Sequence, residues 1–70
     1  MAETIRVYFR DHQHQESYLS FATEAKAADC VRRVRDRLKK ITVHDEVKGI
    51  EREDKKAIRR IKTAALSNAA

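Results

Sequence analysis

The chain has one cysteine, one glycine and no apolar stretch approaching the ~20 residues needed to span a bilayer. Each shortage excludes something. The lone Cys30 cannot build an intramolecular disulfide framework, on which small secreted domains usually depend, so a reducing, cytoplasmic setting is expected. Cysteine-based zinc fingers fall with it. Gly49 stands alone, whereas dinucleotide fingerprints and phosphate loops need several glycines to bring backbone amides against phosphate. The opening residues Met1-Ala2-Glu3-Thr4-Ile5-Arg6 lack the apolar run of a signal peptide, and no membrane partner is expected.

What is present is small and charged. The 70 residues (8.1 kDa) carry 16 Lys plus Arg against 11 Asp plus Glu, a formal charge of +5, and are 41% hydrophobic. That composition belongs to a folded chain, and the length allows one domain over residues 1–70. Its core is too small to leave room for a deep catalytic pocket.

From Thr4 to Arg10 the residues alternate, Ile5, Val7 and Phe9 against Arg6, Tyr8 and Arg10, which is the pattern of a half-buried strand. Alternation resumes with Ser17, Leu19 and Phe21 against Tyr18, Ser20 and Ala22. The polar segment between them, Asp11 to Glu16, holds no Gly or Asn, so a loop longer than a two-residue primed turn should join the strands into a hairpin. Ile5, Val7, Phe9, Leu19 and Phe21 then share one apolar face that something else must cover.

Thr23 has the right chemistry to cap a helix, and Ala27, Val31, Val34, Leu38 and Ile41 recur at helical spacing after it. This predicts a helix laid on the sheet, running through Lys40. Cys30 sits at the edge of its stripe, as a packing residue. Ile41-Thr42-Val43 is β-prone and could form a third short strand within residues 41–50. From Glu51 the pattern is helical again, with Ala57, Ile58, Ile61, Ala64 and Ala65 on one arc. Asp54 would fall in that arc, so either the helix starts near Asp54 with that residue as its cap, or its first turn extends beyond the core. Residues 67–70 should fray. The predicted fold is α+β, in the order β-β-α-(β)-α, with a small antiparallel sheet packed on one face against two helices.

The hairpin and first helix resemble the first half of β-grasp, ubiquitin-like modules such as Ras-association domains. The resemblance covers roughly the first half of the chain and implies an interaction module. Residues 51–66 depart from it, because they read as helix where that family needs further strands.

Charge is unevenly distributed along the chain. Residues 1–23 carry two basic and three acidic groups and residues 24–40 seven and three; residues 41–54 carry two and five, and residues 55–70 five and none. In the first helix, Asp29 and Asp36 can pair with Arg32, Arg33 and Lys40, so that face reads as solvated. The second helix differs. Lys55, Lys56, Arg59, Arg60 and Lys62 have no acid within their stretch, and such density attracts phosphate backbones by counterion release. The same run also suits an ordinary helix end whose cations complement the dipole and keep the protein soluble.

A second feature adds to the first. Arg6, Tyr8, Arg10 and Tyr18 lie on the sheet face away from the core, where aromatics interleaved with arginine can stack bases; two tyrosines weigh more towards a cross-strand Tyr pair shielding the sheet, or rings covered by the second helix, than towards a stacking platform. His12, His14 and His44 do not make a metal site by spacing, a Cys30–His44 nucleophile pair lacks an orienting third group, and no cofactor is implied. The leading expectation is a non-enzymatic nucleic-acid-binding protein of the regulatory accessory kind, with Lys55, Lys56, Arg59, Arg60, Lys62, Arg6, Tyr8, Arg10 and Tyr18 as contacts. The alternative is a protein-interaction module engaging an acidic protein or forming a homodimer.

Overall fold

The computed structural model describes residues 3–67. Two strands, β1 (Glu3–Arg10) and β2 (Glu16–Phe21), precede helix α1 (Glu24–Val34) and a single 3-10 turn (Arg35–Arg37); β3 (Leu38–Asp45), β4 (Ile50–Arg52) and helix α2 (Lys55–Ser67) follow. The sheet is antiparallel throughout, in the order β2-β1-β3-β4. One face carries both helices, as the sequence pattern implies, with four strands beneath them rather than two or three.

The hairpin forms where the alternation places it, with Ile5 opposite Phe21, Val7 opposite Leu19 and Tyr8 opposite Tyr18. Its five-residue connection is organised by Asp11, whose carboxylate accepts from the amides of Gln13 (2.8 Å) and Gln15 (2.9 Å), while His14 takes a left-handed conformation (φ 63°). Thr23 caps α1, its Oγ1 accepting from Lys26 N at 3.2 Å. Asp54 does the same for α2, accepting from Lys56 N and Ala57 N at 3.1 and 3.2 Å.

The first helix is shorter than its stripe. It ends at Val34, where Arg35 turns into φ 46° and sends its amide back to the Val31 carbonyl. Leu38 and Ile41 therefore reach the core from β3, not from a helix, and Asp36, Lys39 and Lys40 leave the face assigned to them. The physical reason is that Ile41-Thr42-Val43 is a β-branched run, and β3 pairs along nearly all of β1. A backbone ladder of that length outweighs one more helical turn and the strain at Arg35. The resemblance to β-grasp modules stops at α1, since the strand beside β1 is β3 and residues 55–67 are helix.

β2 and β3 both flank β1, so β2-α1-β3 is a split β-α-β unit in which α1 crosses over β1. Helices α1 and α2 lie side by side and run the same way. Arg60, in the first half of α2, meets Glu24 at the start of α1, while Ala65 and Leu66 share a groove with Val31 and Arg35 near the other end. Small residues make this close approach possible. Ala27, Ala28, Cys30, Ala57 and Ala65 are all buried, with Val31, Val34 and Ile61 as the larger helical contributions over Ile5, Val7 and Ile41. Leu19 is an exception to its expected burial. It stays 51% exposed because β2 is the edge strand and the helices do not reach past it.

The expected fraying of residues 67–70 lies outside the described residues except at Ser67. That residue is helical, with its hydroxyl donating to the Thr63 carbonyl at 2.9 Å. No helix among the described residues is long and apolar enough to cross a membrane.

Candidate nucleic-acid interface

Sorting the charges by layer shows where a polyanion would be drawn. Residues 24–37 and 55–67, which form the helical layer, carry ten cations against three acids, a balance of +7. The remaining six cations face eight acids in the sheet, loops and termini, a balance of −2. The molecule is thus polarised across its thickness, and its formal +5 understates the field over the helices.

Within that layer, Lys55, Lys56, Arg59, Arg60 and Lys62 are all exposed, because α2 buries the arc of Ala57, Ile61 and Ala65. Arg60 differs from the others. Its Nε and Nη2 donate to the two Glu24 carboxylate oxygens at 3.0 and 2.7 Å, a bidentate pair joining the helices. The Arg60 hydrogen bonds hold the Glu24 carboxyl below its usual range, and Glu24 raises Arg60 in return. Arg60 therefore serves α1–α2 packing, while Lys55, Lys56, Arg59 and Lys62 form no ion pair among the described residues.

Helix α1 supplies cations that its own sequence had assigned to intrahelical pairing. Asp29 does bind Arg32 at 2.7 Å and lies 3.9 Å from Arg33. Asp36, displaced into the 3-10 turn, pairs with neither Arg32 nor Lys40 among the described residues. Arg32, Arg35 and Lys62 line one groove of about 550 Å³ floored by Val31, Ala65 and Leu66, with Asp36 at its rim. The basic residues of the two helices converge there. Nothing in the linear sequence signals this, because it depends on the helices running parallel.

The other four expected contacts lie on the far side of the sheet. Arg6, Tyr8, Arg10 and Tyr18 alternate with the core-facing Ile5, Val7 and Leu19, so they point away from both helices. Tyr8 and Tyr18 pack against each other with centroids 5.2 Å apart, Arg6 lies 4.7 Å over the Tyr18 ring, and Lys40 lies 4.8 Å over Tyr8. The Tyr8 and Thr42 hydroxyls both donate to Glu51, and Arg6 sits 3.8 Å from the same carboxylate. His44 contacts Arg6 and Glu46 in turn. The aromatic rings are occupied by their neighbours, and Glu16, Glu46 and Glu51 offset Arg6, Arg10 and Lys40. One flat contact cannot engage this face and α2 together.

This network has a pH signature. Glu51 is held low by the Thr42 and Tyr8 hydroxyls, Glu46 by His44 and Thr4, and Glu24 by Arg60. A carboxylate lowered on folding contributes stability that is complete above its unfolded value, near 4, and lost as pH falls through the folded value. The expected result is a melting temperature steady from neutral pH down to about 5 and falling below about 4. Glu51→Gln should lower it at neutral pH and flatten the acid limb. A melting temperature that rises on acidification would contradict the network.

The isolated chemical groups stay isolated. His12 and His14 lie in the exposed hairpin turn, and His44 is on β3. Cys30 is buried, and burial pushes its thiol up, away from the reactive thiolate. No cluster of three or more His, Cys, Asp or Glu suited to a metal occurs among the described residues. Comparison with protein families, with curated proteins and with solved structures finds no match to this chain.

Proposed function

We propose that this protein binds nucleic acid, without catalysis, through the phosphate contacts of its helical layer. The observation that carries the reading is the +7 concentrated on that layer, with Lys55, Lys56, Arg59 and Lys62 on α2 forming no ion pair among the described residues. Arg32 and Arg35 extend the basic surface onto α1 across the groove. Arg60 holds the helices together, and Arg6, Tyr8, Arg10 and Tyr18 stand outside this contact. Recognition of this kind reads the backbone and not the bases, so it carries little sequence preference.

The apolar floor of the groove favours a second reading, in which an acidic amphipathic protein segment lies between Arg32, Arg35 and Lys62. A titration with duplex DNA, single-stranded DNA and RNA separates the two. Four phosphate contacts predict a slope of log affinity against log salt of about −3 to −4 on duplex DNA. Absence of binding to all three at low salt would remove the nucleic-acid reading.

A further inference from the structure

We infer that the groove between the ends of α1 and α2 takes one unpaired base, so that the helical layer prefers single-stranded nucleic acid; the inference deepens the nucleic-acid reading and rests on it. Lys55, Arg59, Lys62 and Leu66 follow one another at intervals of four, three and four residues, which sets them along a single face of α2. The helical rise separates them by about 6, 4.5 and 6 Å. A line of three cations therefore ends on a leucine, and that leucine is 77% exposed.

Lys62 and Leu66 are also lining residues of the groove of about 550 Å³, where Val31 and Ala65 complete an apolar floor and Arg32 and Arg35 stand on the α1 side. An occupant that satisfies all of these groups is apolar on one face and anionic along its edge. A nucleotide within a strand has that build. Its base lies on Val31, Ala65 and Leu66, its flanking phosphates reach Arg32, Arg35 and Lys62, and the chain continues over Arg59 and Lys55. In a duplex the bases are paired and stacked inside, so phosphates meet the cations and nothing covers the leucine. An acidic protein segment would need carboxylates placed along α2 beyond the groove to meet Arg59 and Lys55, whereas a polynucleotide supplies an anion at every residue. Contact between aliphatic side chains and the face of a base does not distinguish one base from another, so little sequence preference follows.

Arg35 supports the same assignment. Its φ of 46° with ψ of −112° is backbone that glycine tolerates and a side chain opposes. Its Nε donates to the Arg32 carbonyl at 3.3 Å, which keeps both arginines at one rim of the groove. Strain is thus stored where a cation borders the site, and replacing Arg35 by glycine should relieve the one while losing the other.

The test is a titration of the full chain, at one moderate salt concentration, with a fluorescent oligonucleotide presented as single-stranded DNA, as single-stranded RNA and as the annealed DNA duplex. At least one single strand should bind more tightly than the duplex, and the tighter of the two names the ligand. Leu66→Ala should weaken single-strand binding about 5-fold and leave duplex affinity unchanged. Leu66→Phe, which offers a ring to stack on, should strengthen single-strand binding alone. Arg35→Gly should melt higher than wild type yet bind the single strand more weakly. A duplex bound as tightly as both single strands, or a Leu66→Ala loss that is absent or equal on the duplex, overturns the base site while the phosphate reading stands. Binding of none of the three at low salt removes both.

Discussion

Ile61→Ala should cost about 2–5 kcal/mol, the range for removing a fully buried aliphatic side chain that leaves a cavity. Ile61 has 0% exposure, and it is the only large side chain of α2 that is wholly enclosed; Ala57 and Ala65 on the same arc have little to contribute. A domain of this size has a total stability of about 4–10 kcal/mol, so the substitution removes a large share of it. The effect should also be local in origin. Four of the buried residues on the two helices are alanines, Ala27, Ala28, Ala57 and Ala65, which permit close approach but bury little surface, and Ile61 carries α2 into the core it shares with Val7 and Ile41. Leu66→Ala, at a position 77% exposed, should change stability by less than about 0.5 kcal/mol. Urea unfolding of both variants checks the contrast. A loss below about 1 kcal/mol for Ile61→Ala would mean that α2 does not pack as described.

That dependence joins the fold to the proposed surface. The cations of α2 point outward because Ala57, Ile61 and Ala65 point inward, and they lie beside Arg32 and Arg35 because α2 runs parallel to α1. Loosening α2 would scatter the charge that the helical layer concentrates. Arg60 contributes to the same end from the surface, its pair with Glu24 fixing the two helices near their starts.

Much of this was legible in residue order, and what was not has identifiable causes. The hairpin could be read because period-two alternation has no competitor from Thr4 to Arg10, and the helix starts because Thr23 and Asp54 are capping residues followed by apolar stripes. The end of α1 could not. Val34, Leu38 and Ile41 satisfy helical spacing while Ile41 and Val43 satisfy strand alternation, and only the partner strand β1 decides between them. β4 left no trace, since its three residues are all exposed and carry no pattern. In the site, the unpaired run on α2 was visible in the sequence, as was the outward alternation of Arg6, Tyr8, Arg10 and Tyr18. Their separation onto opposite sides of the molecule follows only once α2 is known to share the face that covers Ile5 and Val7. The Glu24–Arg60 pair, 36 residues apart, and the shared groove are tertiary facts.

The largest functional effect should come from reversing charge on the helical layer. Lys55→Glu, Arg59→Glu and Lys62→Glu combined removes three phosphate contacts and adds three repulsive ones, with Arg60 left in place because Arg60→Glu would confront Glu24. All three positions are exposed and form no ion pair among the described residues, so the fold should survive. Loss of affinity should be at least about 100-fold at moderate salt, with a shallower salt slope in what binding remains. The direct test is to titrate this variant and Arg10→Glu/Tyr18→Ala with the same fluorescent duplex and single strand, each variant first shown folded. The helical reversal should cut affinity by at least about 100-fold, while the sheet-face variant binds like wild type, without the roughly 1–3 kcal/mol that a lost base stack costs. Binding that survives the helical reversal and fails in the sheet-face variant would contradict the account and move the interface to the tyrosines.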